Sequence, residues 1–143
     1  MVLTSCIKDD EVITYNEQLE IDLAIIDNYL GENGITAVND PSGLRYVIHT
    51  QGTGIKPVVE DVVNVDYLGT YLPSGQEFDA NEDIEFPLNA LIQGWQIGFP
   101  LLNEGAEATF YIPSGLGYGT NPPPGIPLNA NLIFDVTLNS VVR

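Results

Sequence analysis

Apolar and polar positions follow two different periods along this chain, and the change falls near residue 44. Upstream of it, Leu19, Leu23, Ile26 and Leu30 recur at steps of four, three and four, and Ile25 and Tyr29 widen the stripe. That spacing predicts an amphipathic helix of about five turns. Thr14 followed by Glu17 has the spacing of a capping box, and Gly31, Asn33 and Gly34 supply a stop signal. The helix is therefore expected within 14–35. Its apolar stripe is expected to dock on the domain that follows, with pairing to a second copy as the alternative and a monomer as the expected state.

From Leu44 the period becomes two. Leu44, Tyr46 and Ile48 alternate with Arg45, Val47 and His49, and Val63, Val65, Tyr67 and Tyr71 with Asn64, Asp66 and Thr70. Ala108, Phe110 and Ile112 alternate with Glu107, Thr109 and Tyr111, and Leu132, Phe134, Val136 and Leu138 with Asp135, Thr137 and Asn139. Alternation of this kind predicts antiparallel strands with one buried and one wet face. Ile84 to Leu88 is a further short candidate, and Pro73-Ser74-Gly75 is turn chemistry between two runs. Leu91, Ile92 and Trp95 interrupt the pattern with one face of a short helix. The reading is an α+β architecture: a mostly antiparallel sheet with one short helix over 43–143, an N-terminal helix over 14–35, and a leading segment 1–13.

The chain has 143 residues, one domain's worth. Charge narrows the function classes. Twenty acidic residues against four basic ones give a net charge of −16. Between Lys56 and Arg143 there is no base, while eleven acids fall there. Phosphate backbones need clustered Lys and Arg, so no nucleic-acid partner is expected, nor an anionic membrane surface. No apolar run approaches the roughly 18 residues of a membrane span. One cysteine excludes an internal disulfide, and with one histidine it leaves too few soft ligands for a zinc site.

Cys6 is the exception to an otherwise plain leading segment. Leu3-Thr4-Ser5-Cys6 resembles the lipobox of bacterial lipoproteins, in which the cysteine receives the lipid, and Lys8-Asp9-Asp10-Glu11 makes a polar linker behind it. The bland alternative is a free cysteine in a frayed terminus. The expectation is lipidation at Cys6, the only membrane attachment foreseen. The acidic run also resembles signals that sort some lipoproteins to the cell surface.

Several tempting motifs fail. Gly115-x-Gly117-x-Gly119 follows a strand as a phosphate loop does, but Pro113 precedes it and a proline run stands where a helix should begin. Asp79, Asn81 and Asp83 copy the first ligand positions of a calcium loop, yet Ile84 and Ala90 occupy the places of its glycine and bidentate glutamate. His49 has no nucleophile partner identifiable from the sequence and is expected at a strand surface. No metal and no cofactor is expected.

What remains is a set of aromatic and apolar residues at distinctive places. Tyr67 lies in Val65-Asp66-Tyr67-Leu68-Gly69, and Phe78-Asp79 follows the turn. Phe86 leads Pro87-Leu88, and Leu91-Ile92-Gln93-Gly94-Trp95 opens the short helix. Ile112-Pro113 precedes Leu116-Gly117-Tyr118-Gly119, followed by Ile126-Pro127 and Leu132-Ile133-Phe134-Asp135-Val136. In this order and spacing the set resembles the FKBP-type peptidyl-prolyl cis-trans isomerases, from about Gln51 to Arg143. With the lipobox and the leading helix, the chain is similar to the lipoprotein branch of that family.

The resemblance implies a curved antiparallel sheet wrapped around the short helix, with a shallow apolar pocket between them. It implies Trp95 at the pocket floor, and Tyr67, Phe78, Phe86, Leu91, Ile92, Tyr118 and Phe134 in the walls, with Ile126 above. The Tyr118 hydroxyl and the Ile92 N–H would bond the carbonyls of a bound peptide, and Asp79 would sit at the rim. Without the resemblance, Phe86, Trp95 and Phe134 read as core and Asp79 as a turn residue. The implied activity is isomerisation of X-Pro bonds in exported proteins, in the bacterial cell envelope, whether periplasmic or anchored at the outer membrane. The partners are then proline-containing polypeptides. A pocket that binds proline segments or unfolded chains with little turnover is the second reading. Many family members have an arginine after the Phe-Asp pair, and 80–87 contains none. Asp79 is then unpartnered, held by backbone donors, or reached by Arg45.

Overall fold

A computed structural model describes residues 13–143. Cys6 and the acidic linker lie outside the described residues. An 18-residue helix, α1 (Tyr15–Glu32), begins at the capping box read from the sequence: the Glu17 N–H donates to Thr14 Oγ1 at 3.1 Å and the Thr14 N–H to Glu17 Oε1 at 2.9 Å. It ends at Asn33, and Gly34 takes the left-handed conformation that releases the chain.

Six strands follow: β1 (Val38–Asn39), β2 (Arg45–Thr50), β3 (Val62–Leu72), β4 (Glu77–Pro87), β5 (Glu107–Ile112) and β6 (Asn131–Val142). They form one sheet in the order β1-β2-β5-β6-β3-β4, and every neighbouring pair is antiparallel. A single-turn-scale helix, α2 (Gln93–Gly98), lies in its concave face. The alternation decides which core each residue joins. Leu44, Val63, Val65, Phe110, Ile112, Leu132, Val136 and Leu138 point inward with Trp95 and Phe99 of the α2 segment.

The outer face departs from the expected wet face. Tyr111 and Ile133, with Val47 partly buried, join a second apolar cluster with Leu72, Ile26 and Leu30 because α1 lies across them. Arg45, expected on a wet face, is buried there too, and its guanidinium grips both oxygens of Asp27 on α1, at 3.0 and 3.2 Å. Burial pushes the Tyr111 phenol up to about 12, so the phenol itself stays protonated through the ordinary pH range. Ile25, placed on the docking stripe by periodicity, instead faces solvent with Ile21.

Two further boundaries differ from the sequence reading. β4 is eleven residues long and begins before Phe78, where only Ile84–Leu88 was foreseen. It is an edge strand, and its run Asp79-Ala80-Asn81-Glu82-Asp83 is exposed on both faces, so no alternation marks it. The short helix starts at Gln93, with Ile92 as its N-cap and Leu91 ahead of it.

Candidate active site

The concave face of the sheet narrows to a cavity of about 180 Å³ between β3, β4, β6, α2 and the loop after β5. Its lining consists of Tyr67, Asp79, Phe86, Leu91, Ile92, Trp95, Tyr118 and Phe134. Every one of these was singled out from the sequence. Phe78 and Ile126, also singled out, do not line it. Phe78 stacks on Tyr71 at 4.7 Å and meets Phe134 edge-on at 5.6 Å, so it buttresses the wall from behind. Ile126 stands on the proline-rich loop, half-buried.

Trp95 forms the floor. It is 4% exposed, with its ring at 5.2 Å from Tyr67, 5.1 Å from Phe134 and 5.0 Å from Phe99, in steep edge or tilted contacts. Its Nε1 has no hydrogen-bond partner among the described residues. The indole can lie so deep because α2 approaches the sheet over glycine. A Cβ at Gly94 would stand 2.7 Å from Ile112, and one at Gly98 would stand 2.6 Å from the Phe110 ring. Gly69 of β3 serves the walls in the same way, since a Cβ there would meet Phe134 at 2.7 Å and Phe78 at 2.9 Å.

The rim carries the polar groups. In the β3–β4 pairing Tyr67 faces Asn81 and Gly69 faces Asp79, which makes Tyr67 and Asp79 diagonal neighbours. The Tyr67 hydroxyl donates to Asp79 Oδ2 at 2.8 Å and accepts from the Asn81 amide at 3.3 Å. Asp79 is thus held by a phenol. Arg45 is committed to Asp27 and does not reach it. Asn81 was noted only for its calcium-like spacing; its part in this rim had no signal in the sequence. Burial pushes the Tyr67 phenol above its ordinary value; Asp79 adds to this, and the Asn81 hydrogen bond opposes it. Burial raises Tyr118 as well, with Asp79 and Tyr71 adding to it. Both hydroxyls therefore remain donors at neutral pH.

Ser114 shapes the segment that carries Tyr118. A short 3-10 turn, Ser114–Leu116, opens it, and the Ser114 carbonyl accepts from both the Gly117 and Gly119 N–H groups, at 3.0 and 2.9 Å. The glycine triplet therefore folds around Tyr118. Asp79, Asn81 and Asp83 do not converge either, since Asp83 instead accepts from Asn64 at 3.1 Å. His49, exposed, donates to Thr109 Oγ1 at 2.8 Å, whose hydroxyl donates to Asp135.

An FKBP-type peptidyl-prolyl cis-trans isomerase family model matches residues 53–139. The chain belongs to that family. An FKBP-type relative from Aeromonas hydrophila, FkpA, is 43% identical over 106 residues, covering 71% of this chain and 39% of its own length. An outer membrane protein MIP from Legionella longbeachae is 35% identical over 138 residues, covering 90% of this chain and 58% of its own. The chain thus spans about two fifths of the FkpA relative and under two thirds of the MIP relative. The crystal structure of Escherichia coli FkpA superposes with a TM-score of 0.77 at 32% identity, over 89% of this chain and 62% of that one. A peptidyl-prolyl cis-trans isomerase from Pseudomonas syringae superposes with a TM-score of 0.78 at 25% identity, over 93% and 99%. No base occurs between Lys56 and Arg143, so that stretch brings no arginine to the cavity's rim.

Proposed function

We propose that the chain catalyses cis-trans isomerisation of X-Pro bonds in polypeptides, with the proline ring seated on Trp95 in the aromatic cavity. One observation carries the reading: five aromatic rings, two of them tyrosines, converge with two aliphatic side chains and a rim carboxylate on one small cavity. Rotation about an amide costs about 18–20 kcal/mol because the planar form has partial double-bond character. The cis and trans ends of an X-Pro bond differ by only about 0.5–1 kcal/mol, so the task is one of rate. Twisting the bond removes the resonance and its charge separation. An apolar, water-poor cavity therefore favours the twisted amide over the planar one, which is differential binding of the transition state. No covalent step is needed.

Tyr67, Phe78, Asp79, Trp95, Tyr118 and Phe134 are the residues assigned to catalysis, and Phe86, Leu91, Ile92 and Ile126 to holding the peptide. Phe78 acts from behind the wall and Ile126 from the adjoining loop. Tyr118 donates to a peptide carbonyl. Ile92 does so through its N–H, which as the N-cap lies outside the ladder of α2. Asp79, fixed by Tyr67, faces the prolyl carbonyl at the rim. The site of action is the bacterial cell envelope, a reading supported by the name of the MIP relative, and Cys6 is the candidate lipid attachment.

Exchange NMR on short X-Pro peptides tests the activity. Wild-type protein is expected to speed exchange, and Trp95→Ala together with Tyr118→Phe to abolish it. Peptide shifts without faster exchange would replace the enzyme by a proline-binding module. Neither binding nor catalysis would defeat both readings.

A further inference from the structure

The segment that carries Tyr118 is fastened to a residue far away in sequence. Asp22 lies midway along α1, where the helical pattern reads as an ordinary polar position, yet it is 1% exposed. Its Oδ2 accepts from the Ser114 N–H at 3.1 Å and from Ser114 Oγ at 2.5 Å. Its Oδ1 accepts from the Gln18 amide at 2.9 Å. Ser114 is itself fully buried, and its N–H is shared with Asn131 Oδ1 at 3.0 Å. A buried carboxyl is costly unless its oxygens are satisfied, so this arrangement has few alternatives. Tyr15 adds a second tie, since its ring packs over Gly115 so closely that a Cβ there would stand 2.6 Å away.

Ser114 then passes the constraint on. Its N–H and hydroxyl are held from α1, and its carbonyl receives the N–H groups on either side of Tyr118, those of Gly117 and Gly119. Two backbone bonds thus hold the glycines on either side of the tyrosine, and their common acceptor is anchored by the helix. We propose that Asp22 is a positioning residue of the prolyl cavity, which sets the Tyr118 hydroxyl through Ser114 and makes α1 a working part of the site. The inference rests on Tyr118 as a peptide-contacting group. It goes beyond that reading by placing a determinant of substrate affinity on the opposite face of the loop, in an element that lines no part of the cavity.

The test uses the full chain with Asp22→Ala, Asp22→Asn and Ser114→Ala, alone and combined with Tyr118→Phe. Asp22→Ala is expected to raise KM for an X-Pro peptide about five-fold with little change in kcat, the size of one lost hydrogen bond. The effect should vanish in the Tyr118→Phe background, because the group through which it acts is gone. Asp22→Asn should restore most of the loss, since one amide oxygen can accept both Ser114 donors while Gln18 turns its own amide. NMR signals of the Tyr118 ring should shift in Asp22→Ala and Ser114→Ala. Asp27→Asn, which weakens a different tie of α1 to the sheet, should leave them in place. A loss of thermal stability in Asp22→Ala with KM and the Tyr118 signals unchanged would overturn the proposal. So would a KM effect that persists in the Tyr118→Phe background. If Asp22→Ala does not fold, Ser114→Ala decides by the same measures. If wild-type protein shows neither catalysis nor binding, the isomerase reading fails separately, and the ring signals alone decide whether Asp22 positions Tyr118.

Discussion

Tyr67 donates to Asp79, and in the proposed mechanism Tyr118 donates to the peptide, only while protonated, and burial makes that state more durable than in free tyrosine. A raised phenol value means that the donor form is complete through neutrality and is lost only as pH climbs above the ordinary value near 10. Turnover of a neutral X-Pro peptide is therefore expected to stay level from about pH 6 to 9 and to fall in the alkaline range. Tyr118→Phe should be weaker throughout and lose part of that alkaline fall. A sigmoid centred near neutrality would point to a titrating group other than these two phenols. The residues of the cavity were legible one by one only through the order of the whole set: singly, Phe86, Trp95 and Phe134 read as core. The rim was not legible. Spacing offers Asp79 no nearby base, and its partner is a phenol two residues off its opposite position on β3, a relation set by strand register and invisible in spacing. Asp22 was missed for a related reason, because a polar residue in a helical pattern gives no sign that another element will cover it.

At the scale of elements, the depth of Trp95 depends on α2 lying close against β5. Gly94 and Gly98 stand four apart, on the same side of the helix, and each takes the space beneath an inward side chain of β5. Gly98→Ala would drive a methyl group into the Phe110 ring, and Gly94→Ala another into Ile112. Overpacking of this kind costs about 1–3 kcal/mol, so each variant is expected to melt lower. It should also lift the indole and weaken peptide binding more than a surface change of equal stability cost. Thermal melts with peptide titrations check this, and unchanged melting would mean that α2 is free to back away. The inward strand faces were plain from alternation. The outer face was not, because Val47, Tyr111 and Ile133 alternate like residues bound for water and are covered only when α1 folds back over them. The helix itself was clear from its cap and stripe, but its docked face includes a carboxylate and leaves Ile21 and Ile25 outside. Propensity sets the element, whereas its partner surface is a tertiary choice.

For the whole molecule, the dominant physical quantity is a net charge of −16. Among the described residues Arg45 and Arg143 are tied to Asp27 and Asp61, which leaves Lys56 as the one basic side chain outside an ion pair. Asp79 lies in the cavity itself, and Glu82, Asp83 and Glu85 stand exposed along the same edge strand. A peptide approaching the rim therefore enters a negative field that no local cation offsets. Peptides with lysine next to the X-Pro unit should bind and turn over faster than those with glutamate. Because these charges are solvent-exposed, the preference should shrink as salt rises. From about 0.02 M to 0.5 M the screening length drops several-fold, and the lysine-to-glutamate ratio of kcat/KM should fall with it by about three-fold or more. Neutralising Glu82 and Glu85 to glutamine should reduce the ratio at low salt while leaving the neutral peptide unaffected. Asp79→Asn should reduce the ratio and also slow the neutral peptide, since Asp79 belongs to the cavity and the two glutamates do not. A ratio near one at low salt would mean that water at the rim screens the edge strand from the bound chain, and the acidity would then concern the protein's surface and not its choice of substrate.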